Sequence, residues 1–383
     1  MQTSLLAALI LAASGPEAPD ELAPLTWNGD DYEATELPEE LIASAGEAYR
    51  GWAAWAATHD YKLTLSADQR VLLVQQERKK TKKKLALIED VLEYFDELAP
   101  LPEREVEEPT GPTSGGGDAE GEAAEDGTWS WEWEDDGGPL ETATAVILQL
   151  RNEKDQRSVI DKLVSDFPYL EEWSRRAGLQ AGFTLERPLC AAWLDTALGQ
   201  EEWDPDHELI NRTTQLMLLR RFGQLPYWLV QGSAWAAEWQ LREALYCFPY
   251  RTEFVYATEH SAWLDMLKSD FKRRDDEPLA LDEITSWRRG VWDGGAARKA
   301  FGLVWFLQAH RPGALSELAE ALRIYRDEHN RLENADGTWN RIPNWEVPSK
   351  EQQRVLFEAA GEDALVEASR FFERGKRYKP SKR

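Results

Sequence analysis

The sequence predicts an α+β fold, with a predominantly helical C-terminal half resting on a small mixed sheet and an acidic disordered insertion between them. Three observations carry this expectation. Short apolar runs of strand length lie at Tyr61–Leu65, Val71–Val74 and Ala145–Leu150. Helical apolar periodicity dominates after residue 205, and a stretch rich in Pro, Gly and acids occupies residues 101–141. With 383 residues, the chain has room for two units at about 100–200 residues per domain, or for one large unit with insertions.

Taken in order, Met1-Gln2-Thr3-Ser4 precedes a nine-residue apolar run, Leu5 to Ala13, which ends at Ser14-Gly15-Pro16. This is the length and ending of a secretory signal peptide over residues 1–15, too short to span a bilayer, and a secreted or periplasmic product is expected. A cytosolic N-terminal helix is the plainer alternative, since the segment holds no Lys or Arg. Residues 16–41 carry nine acids, no base and four prolines, which reads as a solvated lead-in. Residues 42–100 form an N-terminal α+β segment. It begins with a helix around Tyr49-Arg50-Gly51-Trp52 and continues as two strands flanking the turn Ser66-Ala67-Asp68. A second helix follows, with Leu85, Ile88, Leu92 and Phe95 on one stripe. Its basic start, Arg78 to Lys84, reads as a solvated face.

Residues 101–141 hold 14 acids and one base, the composition of a self-repelling linker. Within it, Trp129, Trp131 and Trp133 alternate with polar residues, as an edge strand or a docking motif would. Residues 142–310 form the core: the Ala145–Leu150 strand, a helix over Ser158–Ser165, a strand-rich stretch from Phe183 to Leu194, and helices over 205–222 and 226–239 separated by Gly223. Another helix runs over 297–309. Residues 311–374 add helices over 315–325 and 363–374, with Ser349-Lys350-Glu351-Gln352 read as a capping box for one between them. A basic tail occupies 375–383.

Composition excludes several function classes. The formal charge is −26, which argues against binding a nucleic-acid backbone. Residues 16–41 carry −9 of it and residues 101–141 carry −13, so the rest of the chain carries only −4. Two cysteines, Cys190 and Cys247, are too few for a disulfide scaffold or a cysteine-based zinc ribbon. A Cys190–Cys247 bridge and two buried thiols both fit. No segment after the first is long and apolar enough to span a membrane. Gly232-Ser233-Ala234 lacks the context of a nucleophile elbow, Asp336-Gly337 lacks calcium-loop spacing, and no phosphate-cradling glycine loop occurs.

One constellation carries chemical content. His207-Glu208-Leu209-Ile210-Asn211 opens a helix, and Gln231-Gly232 follows twenty residues later within Leu225-Pro226-Tyr227-Trp228-Leu229-Val230-Gln231-Gly232-Ser233-Ala234-Trp235. This resembles the gluzincin type of zinc metallopeptidase, of the peptidase-MA-like superfamily, over about Ala143 to Ala309. There a helix carries HExxH, and a second helix, entered through a Leu-Pro-x-Trp-Leu stretch, supplies a Glu-Gly dipeptide. The resemblance implies a zincin-like fold and places His207 at the first metal ligand and Glu208 at the general base. Asn211 and Gln231 stand at the other two ligand positions. Both are neutral amides, poor zinc ligands beside imidazole and carboxylate.

The degenerate motif therefore implies a secreted pseudo-peptidase lacking zinc and hydrolytic activity, a binding or scaffold module. Its cleft is expected at Trp228, Trp235 and Glu238, with a peptide or extracellular polymer as partner. Asn211 and Gln231 are expected to hydrogen-bond each other in place of a metal cross-link. The alternative is an active metal-dependent hydrolase using His207 and Glu208, with zinc as cofactor. Glu238 is then a substitute ligand, or else a plain ion-pair partner of Arg242; Glu259, His260 and His310 are remoter candidates. Asp204 and Asp206 read as caps and dipole partners of the helix.

Overall fold

The computed structural model describes residues 22–76, 81–99, 140–180, 182–194, 205–245, 263–272, 281–289, 291, 293–333, 339–342 and 345–375. The expected signal peptide, the insertion through residue 139 with its Trp129-Trp131-Trp133 patch, Asp204, Cys247, Glu259, His260 and the tail from 376 lie outside the described residues.

The chain is α+β, built on a mixed seven-stranded sheet. Strands β1 (Leu25–Trp27) and β2 (Asp30–Tyr32) form a hairpin. Helix α1 (Ala43–His59) leads into β3 (Lys62–Leu65) and β4 (Val71–Gln75), and α2 (Thr81–Leu98) follows. Then come β5 (Ala145–Leu150), α3 (Glu153–Asp166), the short α4 (Glu171–Ala177), β6 (Gly182–Leu185) and β7 (Cys190–Leu194). The sheet order is β2-β1-β3-β4-β5-β7-β6. Pairings β1–β3, β4–β5 and β5–β7 are parallel, and the others antiparallel. Because β4 and β5 are neighbours, the segments before and after the acidic insertion build one sheet.

The hairpin corrects the expected solvated lead-in over 16–41. Leu25 and Trp27 are buried, and Asn28 and Gly29 both take positive φ (52° and 95°). That is the Asn-Gly turn whose twist matches paired strands. The acids Asp30 and Asp31 sit exposed on the edge strand β2, where charge discourages further pairing.

The central strands are apolar on both sides, as strands covered on both faces must be. Leu72, Val74, Val146, Leu148, Cys190 and Ala192 face a core shared with α1 and α3. Val71, Leu73, Ile147, Ala191 and Trp193 face a second, larger core shared with α2 and the C-terminal helices. Those helices are α5 (Pro205–Phe222), α6 (Tyr227–Arg242), α7 (Trp263–Asp270), α8 (Leu281–Thr285), α9 (Gly294–His310), α10 (Ala314–His329), α11 (Ser349–Ala360) and α12 (Ala364–Arg374), with a small hairpin of β8 (Arg331–Glu333) and β9 (Trp339–Arg341). Among the described residues no helix is long and apolar enough to cross a membrane.

Two details fix α5 and α6. The chain leaves α5 at Gly223 with φ +64°, and Arg326 of α10 donates from one guanidinium nitrogen to the carbonyls of Phe222 (3.0 Å) and Gln224 (2.6 Å). It thereby satisfies one carbonyl that the helix end leaves without a partner and one in the loop that follows. Gly232 lets α6 meet α9: a Cβ there would lie 2.8 Å from both the Ala300 carbonyl oxygen and a Val304 methyl.

Two smaller expectations are also revised. Ser349 does not cap α11; Pro348 holds the N-cap position, and the Ser349 hydroxyl meets Thr285 Oγ1 and accepts from Gln353 Nε2 (3.3 Å). Lys84 is not part of a solvated face. It is 4% exposed and its ammonium donates to Gln149 Oε1 of β5, whereas Lys83 stays exposed and pairs with Asp206 at 2.6 Å.

Candidate functional site

Twelve of the 18 residues of helix α5 are buried, polar ones among them, which marks a helix enclosed by protein rather than lying on a surface. Its first two turns carry the sequence-predicted residues, and all are buried: His207, Glu208 and Asn211. Asp206 and Glu208 put acidic charge in the first turn, at the positive end of the helix dipole. Asp206 also meets Lys83 of α2 and Arg242 of α6, at 2.6 and 3.4 Å, so the start of α5 is tied to both neighbours.

The centre of the site is Glu238 of α6, which is 0% exposed. Its Oε2 lies 3.0 Å from His207 Nδ1, and its Oε1 accepts from Asn211 Nδ2 at 2.7 Å. A carboxylate only accepts, so the Nδ1 facing it carries the proton and donates. The other end of the Asn211 amide is engaged in turn, because its Oδ1 accepts from Gln215 Nε2 at 2.6 Å. Glu208 accepts from Arg212 Nε at 3.0 Å, and the same guanidinium donates to Thr184 Oγ1 of β6 at 2.9 Å. A buried ionised group is tolerated when paired and hydrogen-bonded in this way. The result is a continuous polar network that joins α5 to α6 and, through Arg212, to the sheet.

Three expectations are corrected here. Asn211 does not bond Gln231; both ends of its amide are engaged, by Glu238 and by Gln215. Gln231 is buried two helical turns before Glu238, about 10.5 Å of axial rise. Glu238 does not pair with Arg242, whose partner is Asp206. Nor do Trp228 and Trp235 line a cleft with Glu238, because all three are 0% exposed. Trp228 donates to Gln352 Oε1 at 2.8 Å, and Trp235 packs edge-on to Trp263 and parallel to Trp287, with ring centroids 5.3 and 6.1 Å apart. The cause is common: α6 runs between α5 and α9 and is covered on both sides.

His310, a remoter candidate, packs its ring against Phe306 and Phe371 near the end of α9. Cys190 is a free, buried thiol. Residues that sequence reasoning missed are Gln215, Arg212 and Thr184. The first two were signalled by their i+4 spacing from Asn211 and Glu208; nothing in sequence points to Thr184.

As arranged, these residues do not fit a zinc set. His207 Nδ1 and both amide atoms of Asn211 are committed to hydrogen bonds, and Gln231 offers only a neutral amide. Among the described residues no group of three or more His, Cys, Asp or Glu side chains is placed to hold a metal ion. No family model matches the chain, and no curated protein matches it.

Proposed function

We propose that the chain is a gluzincin-like fold in which a buried carboxylate has taken over the structural part of a metal site, and that it works as a binding or scaffold protein without hydrolysing peptides. The observation that carries this reading is Glu238, fully buried and bridging His207 and Asn211. In the resembling enzymes, metal ligands on two helices converge on one ion. Here the side chains at two of those positions converge on a carboxylate oxygen pair, which cross-links the helices with no open position for a substrate oxygen. Glu208, at the general-base position, is held by Arg212. This contact suits a paired carboxylate rather than a base waiting on a water.

The alternative, an atypical metal-dependent hydrolase, draws on one feature. A carboxylate on one imidazole nitrogen is how proteins orient a histidine whose other nitrogen ligates metal. Metal analysis of the purified full chain separates the two. The proposal expects sub-stoichiometric zinc in the natural protein after dialysis. Stoichiometric zinc in the natural protein, lost on His207→Ala and accompanied by peptide hydrolysis that Glu208→Gln abolishes, would overturn it.

A further inference from the structure

The opposite face of the sheet carries a feature that the His207 network does not use. A groove of about 610 Å³ lies between α1, the start of β5, the end of α3 and the loop before β7. That volume is within the range of small-molecule sites, about 300–1,000 Å³. Its walls are mainly apolar and include three aromatic rings: Trp52, Phe167 and Tyr169. Tyr169 is 55% exposed, yet it is held in place by donating to the Arg187 carbonyl at 2.8 Å. Phe167 and Tyr169 meet edge to face at 6.1 Å. The charged lining groups are Glu47, Asp166, Glu186 and Arg187. Asp166 is paired with Lys162 at 2.5 Å, whereas Glu47 and Glu186 form no ion pair among the described residues.

Gly51 supplies a second, independent observation. It lies in the interior of α1 and lines the groove, where a Cβ would meet nothing within 4 Å. Glycine weakens a helix interior relative to alanine. No turn, positive φ or close backbone approach requires it at this place, so what it contributes is the open space itself.

We infer that this groove is a binding site for a small organic cation, an ammonium group on a compact apolar body. Aromatic faces attract ammonium groups through their quadrupole, and cages of such rings with nearby carboxylates suit alkylated ammonium best. Trp52 already shows this affinity, with the Lys162 ammonium 5.2 Å from its ring centre. An extended peptide is disfavoured, because β5 and β7 are each paired on both sides and offer no free strand edge. The inference stands whether or not the His207 centre is a relic of a metal site.

Isothermal titration of the full chain with benzyltrimethylammonium, and with phenylmethanesulfonate as an anion of similar shape, tests it. The expected result is binding of the cation with at least a tenfold preference over the anion. Gly51→Leu should weaken cation binding at least tenfold while leaving the thermal midpoint unchanged or higher, and Glu47→Gln with Glu186→Gln should reduce the preference below threefold. Absence of cation binding, equal binding of the anion, undiminished binding in folded Gly51→Leu, or binding that appears only when residues 101–139 are removed would each overturn the inference.

Discussion

Removing the Glu238 carboxylate is the most informative perturbation of the α5–α6 seam. In Glu238→Ala, His207 Nδ1 and Asn211 Nδ2 lose the acceptor they reach at 3.0 and 2.7 Å, in a place with no solvent. Each buried donor left unpaired costs about 1–3 kcal/mol, so the pair costs about 2–6. Breaking a buried pair from one side typically costs about 3–5 kcal/mol, inside the same range. For a chain of this size each kcal/mol lowers the thermal midpoint by about 2 °C, at the low end of the range for smaller domains, so a fall of about 8 °C is expected. Differential scanning calorimetry measures it. The companion variant replaces His207, Asn211, Gln215 and Glu238 by leucine together. Removing the four linked polar groups takes their desolvation cost away as well, so the quadruple variant should recover most of the loss and the single changes should be strongly non-additive. A fall below about 2 °C in Glu238→Ala, or a quadruple variant less stable than the single one, would refute a carboxylate cross-link as the role of this residue.

Four further outcomes follow from other parts of the fold. Gly232→Ala should destabilise by about 1–3 kcal/mol through overpacking, since its Cβ would press on the backbone oxygen of Ala300; an unchanged midpoint would contradict the close approach of α6 and α9. Arg326→Met should cost about 3 kcal/mol, the scale of two charged hydrogen bonds to the end of α5, read as a lowered denaturation midpoint in urea. Burial pushes the Cys190 thiol up to about 12. In a Cys247→Ser background no thiol should react with a disulfide reagent at pH 8, and one should react in denaturant; rapid native labelling would show the thiol to be accessible. Gly51→Ala should raise stability by about 0.5–1 kcal/mol, because alanine is the better helix former and has room there; a loss of stability would mean the groove is occupied by structure.

Much of the fold was legible because its signals are local. Ala145–Leu150 reads as a strand because six consecutive apolar or uncharged residues suit a strand buried on both faces, and the structure gives the same limits. The ends of α5 were marked by Pro205 and by Gly223. The first hairpin was missed for a physical reason: nine acids in 26 residues argue for solvation, but β1 needs only one buried face, and Leu25 and Trp27 supply it. Lys84 was misplaced because a basic run on a helix looks uniformly solvated, whereas eight of the 18 residues of that helix are buried and Lys84 is one of them. The location of the polar centre could be read from spacing along α5, but its partner could not. Which turn of α6 faces Asn211 depends on the offset of two packed helices, a tertiary quantity without a sequence period.

That offset makes the substitutions at the site intelligible together under the proposed reading. The network already holds two buried carboxylates, Glu208 balanced by Arg212 and Glu238 balanced by donors from His207 and Asn211. A glutamate at position 231 would add a third negative charge to the same interior, with no ion to offset it, and a neutral glutamine avoids that penalty. At position 211 the centre needs one donor toward Glu238 and one acceptor toward Gln215, at the same time and in fixed directions. An asparagine amide supplies both from a single planar group. A neutral imidazole also has one donor and one acceptor, but on opposite sides of a larger ring. Asparagine at 211 and glutamine at 231 therefore suit a site whose cross-link is a carboxylate, and the Asn211→His, Gln231→Glu variant should be less stable than the natural protein. A double variant as stable without metal as the natural chain would show that these amides were not selected by the buried charge.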